Sequence, residues 1–264
     1  MIEVEESGPA ARRVAAAVRL VGGDEAAAAR IGDAPAGYVL AHDSSDIARH
    51  CSLFSPLPGP DHVRVVATPG RAAGEWHLDV GARDRPGLLA AFTGVLAGHG
   101  VDVVQAVLAT WDDGAALEAF VVRSSAPPDV RTLQAAFEGS LGLPLWSAPV
   151  ADASVAFDRD ASPLYTACEV RAADRPGLLH AVAVALAEAG ADVHAARVVT
   201  VGGVARDRFD LSDGAGAKLG PAQEDAVRAH IAAGVAARPA RPARRRVWPA
   251  ALRTRRSAVV ARRF

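Results

Sequence analysis

The stretch Ala82–Val103 reads ARDRPGLLAAFTGVLAGHGVDV, and the stretch Ala172–Val193 reads AADRPGLLHAVAVALAEAGADV. The six residues Asp-Arg-Pro-Gly-Leu-Leu are identical in both, and the second copy begins 90 residues after the first. Solenoid repeats have periods of about 20–50 residues. The longer spacing therefore predicts two copies of a whole small domain.

Each copy has the same order of sequence patterns around its motif. The residues before the first motif, Glu75–Ala82, alternate between apolar and polar, which predicts a half-buried strand. After the motif, apolar residues follow helical spacing until Gly100 or Gly190, and a glycine there is typical of a helix C-terminus. Asp84 and Asp174 are placed to cap or to precede the helix. Two strand-like segments joined by turn residues and a second amphipathic helix complete each copy.

One further strand is needed to close each unit into a four-stranded sheet. The residues after Val235 show no convincing strand pattern, but apolar segments precede the motifs at His62–Thr68 and Ala153–Asp158. We expect these segments to supply the missing strand, either to their own unit or to the other. Open sheet edges favour pairing of the two units side by side, within one chain or between chains.

Composition and charge restrict the classes of function. The chain has 264 residues, of which 50% are hydrophobic, and a formal net charge of −1. The last 27 residues, from Arg238 onward, hold ten arginines and no acid, so residues 1–237 carry −11. An acidic body argues against nucleic acid as a partner. Two cysteines and no apolar run of about 18 residues favour a cytoplasmic protein without a membrane span.

The repeated motif resembles that of the ACT domain, a βαββαβ module that binds small ligands and regulates attached enzymes. The resemblance is carried by Asp84–Leu89 followed by Gly100–Val103, and by Asp174–Leu179 followed by Gly190–Val193. The tandem arrangement resembles the C-terminal sensor half of the bacterial PII uridylyltransferase family. Gly37–Phe54 is similar to the connector that leads into that half, so the resemblance covers roughly residues 37 to 219.

The resemblance implies an α+β fold of two ferredoxin-like βαββαβ domains, each a four-stranded antiparallel sheet with helices on one face. The expected organisation is an Ala-rich helical N-terminal and connector segment at 1–60 and ACT-like domains at 61–148 and 149–237. A basic tail at 238–264, which we expect to be disordered, follows.

The helix starts offer a site for an amino acid. A helix N-terminus presents unpaired amide groups and the positive end of the helix dipole to a carboxylate. The ligand's ammonium group needs an anion, for which the aspartates after each helix are first candidates and those before it second. The alternative interpretation is a plain helix start with a cap and two core leucines. The candidate ligand-binding residues are Asp84, Arg85, Gly87, Leu88, Leu89, Asp102, Asp174, Arg175, Gly177, Leu178, Leu179 and Asp192.

We find no catalytic constellation in the sequence, so we predict no catalytic residues, no metal and no cofactor. A nucleotidyltransferase needs a Gly-Ser motif with spaced aspartates, which the leading residues lack. His42 and His50 are eight residues apart, which does not place two metal ligands on one helix face.

The favoured function is a non-catalytic, amino-acid-binding sensor linked to nitrogen or amino-acid metabolism. Its ligand would be an amino acid such as glutamine, and it would act through self-association or a regulatory protein partner. The alternative is a truncated or divergent PII uridylyltransferase-type regulator with nucleotidyltransferase activity. A third hypothesis is a structural interaction module without a ligand.

Overall fold

The computed structural model describes residues 8–236. Four helices precede the first strand: α1 (Pro9–Leu20), α2 (Glu25–Gly32), α3 (Ala36–Ala41) and α4 (Ser44–Ser52). The first unit consists of β1 (Arg64–Pro69), β2 (Glu75–Arg83), α5 (Leu88–Gly98), β3 (Asp102–Thr110), β4 (Ala115–Arg123) and α6 (Val130–Ser140). The second unit consists of β5 (Ser154–Asp158), β6 (Thr166–Ala173), α7 (Leu178–Glu188), β7 (Asp192–Val201), β8 (Val204–Ser212) and α8 (Pro221–Ala233).

The segments before the motifs supply the outer strands, as the sequence predicts, and each joins its own unit. β1 pairs antiparallel with β2, and β5 pairs antiparallel with β6. Each unit is therefore a four-stranded antiparallel sheet with the strand positions of the ferredoxin-like fold, which confirms the predicted fold class. Since the outer strand comes first in the chain, the order within each unit is ββαββα.

The two units share one continuous sheet. Its strand order is β1-β2-β4-β3-β7-β8-β6-β5, and the units meet where β3 pairs antiparallel with β7, with Val107 opposite Arg197. The helices α5 and α7 pack against each other beside this seam. His180 on α7 fixes their contact, because its Nδ1 lies 2.9 Å from the carbonyl oxygen of Ala90. The side-by-side pairing of units therefore occurs within the chain.

The main core lies between the sheet and the helices α5 to α8. In the first unit α1 to α4 cover the opposite face as well, where Phe54 and Trp111 pack with Leu117 in a second apolar cluster. The predicted Ala-rich N-terminal helices correspond to α1 and α2. The helix α4 holds the group to β2 through the Arg49–Asp79 ion pair, whose closest atoms are 2.7 Å apart.

The Pro-Gly pair of each motif forms a tight turn before the helix. Gly87 has φ 79° and ψ 12°, and Gly177 has φ 79° and ψ 2°, values typical of the third residue of a type II turn. The amide of Leu88 donates to the carbonyl oxygen of Arg85 at 3.3 Å, which closes that turn. Each helix consequently begins at the leucine after the glycine, and Asp84 and Asp174 precede the helix rather than cap it.

Replacing these two glycines by alanine should have unequal effects. Both substitutions force a residue with a side chain into the left-handed region, at a cost of about 1–2 kcal/mol. At Gly87 the new methyl group would also lie 2.9 Å from Leu145 Cδ1, whereas at Gly177 it would meet no atom within 4 Å. Because Leu145 Cδ1 is the end of a flexible, partly buried side chain that can shift, we expect Gly87→Ala to lower the free energy of unfolding by up to about 1 kcal/mol more than Gly177→Ala does. Urea denaturation of the matched pair measures the difference, and equal losses would contradict the packing argument.

Within the described residues, no helix is long and apolar enough to cross a membrane. Both cysteines, Cys51 and Cys168, are buried and free. The domain boundaries at 1–60, 61–148 and 149–237 remain predictions. The basic tail predicted at 238–264 lies outside the described residues.

Candidate functional site

A cleft opens between the two units at the start of α5. One side of it consists of Asp84–Ala90 and the adjoining parts of β3 and β4, all from the first unit. The other side consists of α7 and the segment Ala191–His194, both from the second unit. The cavity volume is about 40 Å³. Since a water molecule needs roughly 10–15 Å³ of such space, the enclosed part has room for about three water molecules.

Half of the candidate residues predicted from the sequence come together here. The side chains of Leu88 and Leu89 are buried in the core, so only their backbone can face a ligand. A guanidinium nitrogen of Arg85 lies 3.8 Å from the carboxylate of Asp61, and the Arg85 side chain remains partly exposed. The six that line the cleft are Asp84, Arg85, Gly87, Leu88, Leu89 and Asp192.

The second unit reaches the cleft through a β-bulge in β7. The pairing of β7 with β8 shifts register between Val193 and Ala195, which leaves His194 as the extra residue. Such bulges re-aim a side chain next to a site. His194 stacks on Tyr165 with ring centroids 4.4 Å apart, and its Nε2 lies 2.7 Å from the hydroxyl of Ser212. Burial lowers the pKa of His194 to about 4, so the ring is neutral at physiological pH.

The cleft is acidic. Asp84, Glu118 and Asp192 contribute three carboxyl groups, and Arg85 contributes the guanidinium group. Glu118 lies on β4 with 2% of its surface exposed. Burial, and then the nearby Asp84 carboxylate, raises the pKa of Glu118 well above its ordinary value. The site therefore combines a helix N-terminus suited to an anion with carboxyl groups suited to a cation.

The other six candidate residues lie outside the cleft. Asp102 is 61% exposed on its side chain and lies 4.0 Å from Arg123. Arg175 forms a two-pronged ion pair with Asp152, at 2.8 and 3.2 Å. This contact is the main cause that lowers the pKa of Asp152 to about 2. Outside the cleft are Asp102, Asp174, Arg175, Gly177, Leu178 and Leu179.

Sequence reasoning assigned each motif to the aspartate of its own copy, whereas the cleft joins the first motif to Asp192 of the second unit. Glu118 was not among the candidate residues predicted from the sequence. The alternating pattern of β4 could have indicated it, because Glu118 falls on the same inward face as the apolar residues Ala116 and Phe120. Asp207 takes the same place on β8 in the second unit. A carboxyl group at an apolar position in both copies marks a place where burial and charge conflict.

The histidines of the connector serve a different purpose. His50 is buried, and its ring lies between the Tyr38 hydroxyl at 2.8 Å and the Asp79 carboxylate at 3.2 Å. The His42 ring packs against the rings of Tyr38 and His50. Among residues 8–236, no group of three or more His, Cys, Asp or Glu side chains could hold a metal ion. These contacts join α3 to α4 and α4 to β2.

Comparison with known proteins identifies both units. The ACT domain model matches residues 77–139 and 166–220. Three curated relatives are each named a bifunctional uridylyltransferase/uridylyl-removing enzyme. The protein from Bradyrhizobium sp. (strain ORS 278) is 30% identical over 61% of this chain and 20% of its own length. The one from Rhodospirillum rubrum is 29% identical over 69% and 22%, and the one from Burkholderia vietnamiensis is 32% identical over 68% and 23%.

The chain thus spans about a fifth of the length of the curated relatives it matches. Among solved structures, an aspartate kinase from Synechocystis aligns with a TM-score of 0.34 and 22% identity, covering 53% of this chain and 24% of that one. The chain is a tandem ACT domain protein that resembles the C-terminal half of the bacterial PII uridylyltransferase family.

Proposed function

We propose that this protein is a non-catalytic sensor that binds an amino acid in the cleft between its two ACT domains. The observation that carries the proposal is the cleft itself, where a helix N-terminus and three carboxyl groups converge from both units. An amino acid has one group for each: a carboxylate for the first turn of α5 and Arg85, and an ammonium group for the acids.

The position of the cleft supports a regulatory role. Because both units line it, a ligand that contacts both changes the free energy of the arrangement in which they are paired. A protein partner or a second copy that binds one arrangement better would then respond to the amino acid. The resemblance to the PII uridylyltransferase family implies a link to nitrogen metabolism, so glutamine is the first amino acid to test. The two free, buried cysteines support a cytoplasmic location.

We expect at least one of the twenty common amino acids to stabilise the protein. At about 100 times its dissociation constant it should add roughly 2.7 kcal/mol to the free energy of unfolding. Thermal unfolding with each amino acid in turn, followed by calorimetric titration, measures this. Ala187→Trp should abolish the effect, because Ala187 lies on the wall of the cleft, 3.8 Å from where a Cβ atom on Gly87 would stand.

The matched control is Ala232→Trp, which adds the same bulk to the exposed side of α8. It should bind as the unmodified protein does. Absence of stabilisation by every amino acid would overturn the proposed function.

Nucleotidyl transfer is the alternative function, and it can be tested separately. Incubation of the protein with UTP and a PII-type acceptor should leave the acceptor unmodified if the sensor proposal is right. Transfer of a uridylyl group would contradict the non-catalytic part of the proposal.

A further inference from the structure

Glu118 lines the cleft, and one of its carboxyl oxygens is buried without a hydrogen-bond partner among the described residues. Its cross-strand neighbours are Val80 on β2 and Leu108 on β3, neither of which offers a polar side chain. Its Oε2 atom makes no hydrogen bond to any residue in the range 8–236. A buried polar atom left unpaired costs about 1–3 kcal/mol. Such an atom lining a cleft points to a ligand that supplies the missing contact.

The groups that face Glu118 determine which ligand chemistry fits. The loop before α5 presents Asp84 and Arg85, and the second unit presents Asp192 and His194. The wall formed by α7 is apolar, and the His194 ring is neutral. Arg85 extends toward Asp61 at 3.8 Å. The floor of the cleft is therefore rich in carboxyl oxygen, which suits a ligand with a positive charge.

We propose that the Glu118 carboxyl group binds the ammonium group of the amino-acid ligand and gives up its proton to solvent when it does so. This inference rests on the proposed function and specifies how the site recognises the ligand. In the free protein, burial raises the pKa of this carboxyl group well above its ordinary value, so it keeps its proton to a higher pH than an exposed glutamate does. The arriving zwitterion keeps its three ammonium hydrogens, the Glu118 O–H bond breaks, and the proton passes to the buffer. In the complex the ligand's ammonium group faces the Glu118 carboxylate, and these two charges cancel. The ligand's own carboxylate is therefore the only net charge that binding adds to the cleft.

The proton release follows from burial. A carboxyl group in an apolar strand beside a second carboxylate keeps its proton until a cation compensates the charge. An ammonium group within hydrogen-bond distance supplies that compensation and favours the ionised form. Binding and ionisation are thus linked, and in the range where free Glu118 is protonated the affinity should rise about tenfold for each unit of pH.

Calorimetric titration with L-glutamine at pH 6, in phosphate and in imidazole buffers, measures the released proton. If another of the twenty amino acids binds more tightly, that amino acid is the probe. The observed heat should depend on the ionisation enthalpy of the buffer, with a slope of up to one proton per ligand bound. The deamino analogue, 4-carbamoylbutanoate, should bind at least about 30-fold more weakly and release no proton.

Glu118→Gln is the corresponding change in the protein. It keeps the shape of the side chain but cannot ionise, so affinity should fall at least about 30-fold. The matched control is Asp207→Asn, which removes the equivalent buried acid of the second unit and lies outside the cleft. It should leave both the affinity and the proton release unchanged.

The outcomes separate the two proposals. Binding without buffer dependence, or equal affinity of Glu118→Gln and the unmodified protein, would overturn the role of Glu118 while the sensor function stands. No binding by any amino acid would overturn both. The buffer dependence is measured on the unmodified protein, so it decides the question even if the variant fails to fold.

Discussion

The unmodified protein should lose up to about 4 kcal/mol of its free energy of unfolding between pH 4 and pH 8, and Asp207→Asn should abolish this loss. Asp207 is 1% exposed on the inward face of β8, and its Oδ1 atom has no hydrogen-bond partner among the described residues. Burial, and then the Asp174 carboxylate, raises the pKa of Asp207 to about 7. The pKa in the unfolded chain is about 3.9.

The sign of the effect follows from the direction of the shift. Because the folded protein holds this proton more tightly, the stability that Asp207 contributes is full below about pH 4 and is lost as the pH rises to about 7. Asparagine cannot ionise, so the variant lacks that loss. The difference in free energy of unfolding between the variant and the unmodified protein should therefore increase by up to about 4 kcal/mol from pH 4 to pH 8.

Urea denaturation at pH 4, 5, 6, 7 and 8 checks this. The cost of placing an amide at a buried position does not change with pH. It therefore cancels when the difference in free energy of unfolding between the variant and the unmodified protein is compared at different pH values. Asp210→Asn serves as control, since it removes a carboxylate from the opposite face of the same strand, where the side chain is half-buried. A difference for Asp207→Asn that stays constant with pH would show that the carboxyl group is not buried as described.

Asp79→Ala should lower the free energy of unfolding by about 3 kcal/mol. Asp79 is 1% exposed and accepts hydrogen bonds from Arg49 at 2.7 Å and from His50 at 3.2 Å. Removing one partner of a buried ion pair costs about 3–5 kcal/mol, since the other charge is left without compensation. We take the lower end, because Arg49 keeps its bond to Asp46 and part of its side chain reaches solvent.

The substitution should loosen α1 to α4 from the sheet. The Tyr38 hydroxyl lies 2.8 Å from His50 Nδ1, and His50 Nε2 lies 3.2 Å from the Asp79 carboxylate. Loss of Asp79 therefore removes the contacts that both Arg49 and His50 of α4 make with β2. Asp46→Ala is the control, because Asp46 is the more exposed partner of Arg49 and should cost less than about 1 kcal/mol. Equal losses of stability for the two variants would contradict this account.

The two-unit fold is readable from the sequence because local patterns agree with the final pairing. The strand and helix periods on either side of Asp84 and Asp174 recur with the same spacing, so each unit predicts the other. The outer strands were predictable from the offset of His62–Thr68 and Ala153–Asp158. The sequence does not specify which unit each strand joins, and in the structure each pairs within its own unit.

The cleft is less predictable, because it depends on contacts between units. The placement of Asp192 beside the first motif follows from the antiparallel pairing of β3 with β7, which no local pattern specifies. The inward position of Glu118 can be read from alternation along β4. That its Oε2 atom has no hydrogen-bond partner among the described residues depends in part on the apolar neighbours Val80 and Leu108 across the sheet. The covering of the first unit by α1 to α4 is likewise a long-range contact.

The central claim is that an amino acid binds where the first motif meets the second unit, and amide chemical-shift mapping tests it most directly. A titration of the ¹⁵N-labelled protein with the tightest-binding amino acid should shift two groups of amides together. These are Gly87–Leu89 at the start of α5 and Ala191–His194 at the start of β7. Shifts that leave either group unmoved at saturation would contradict the account.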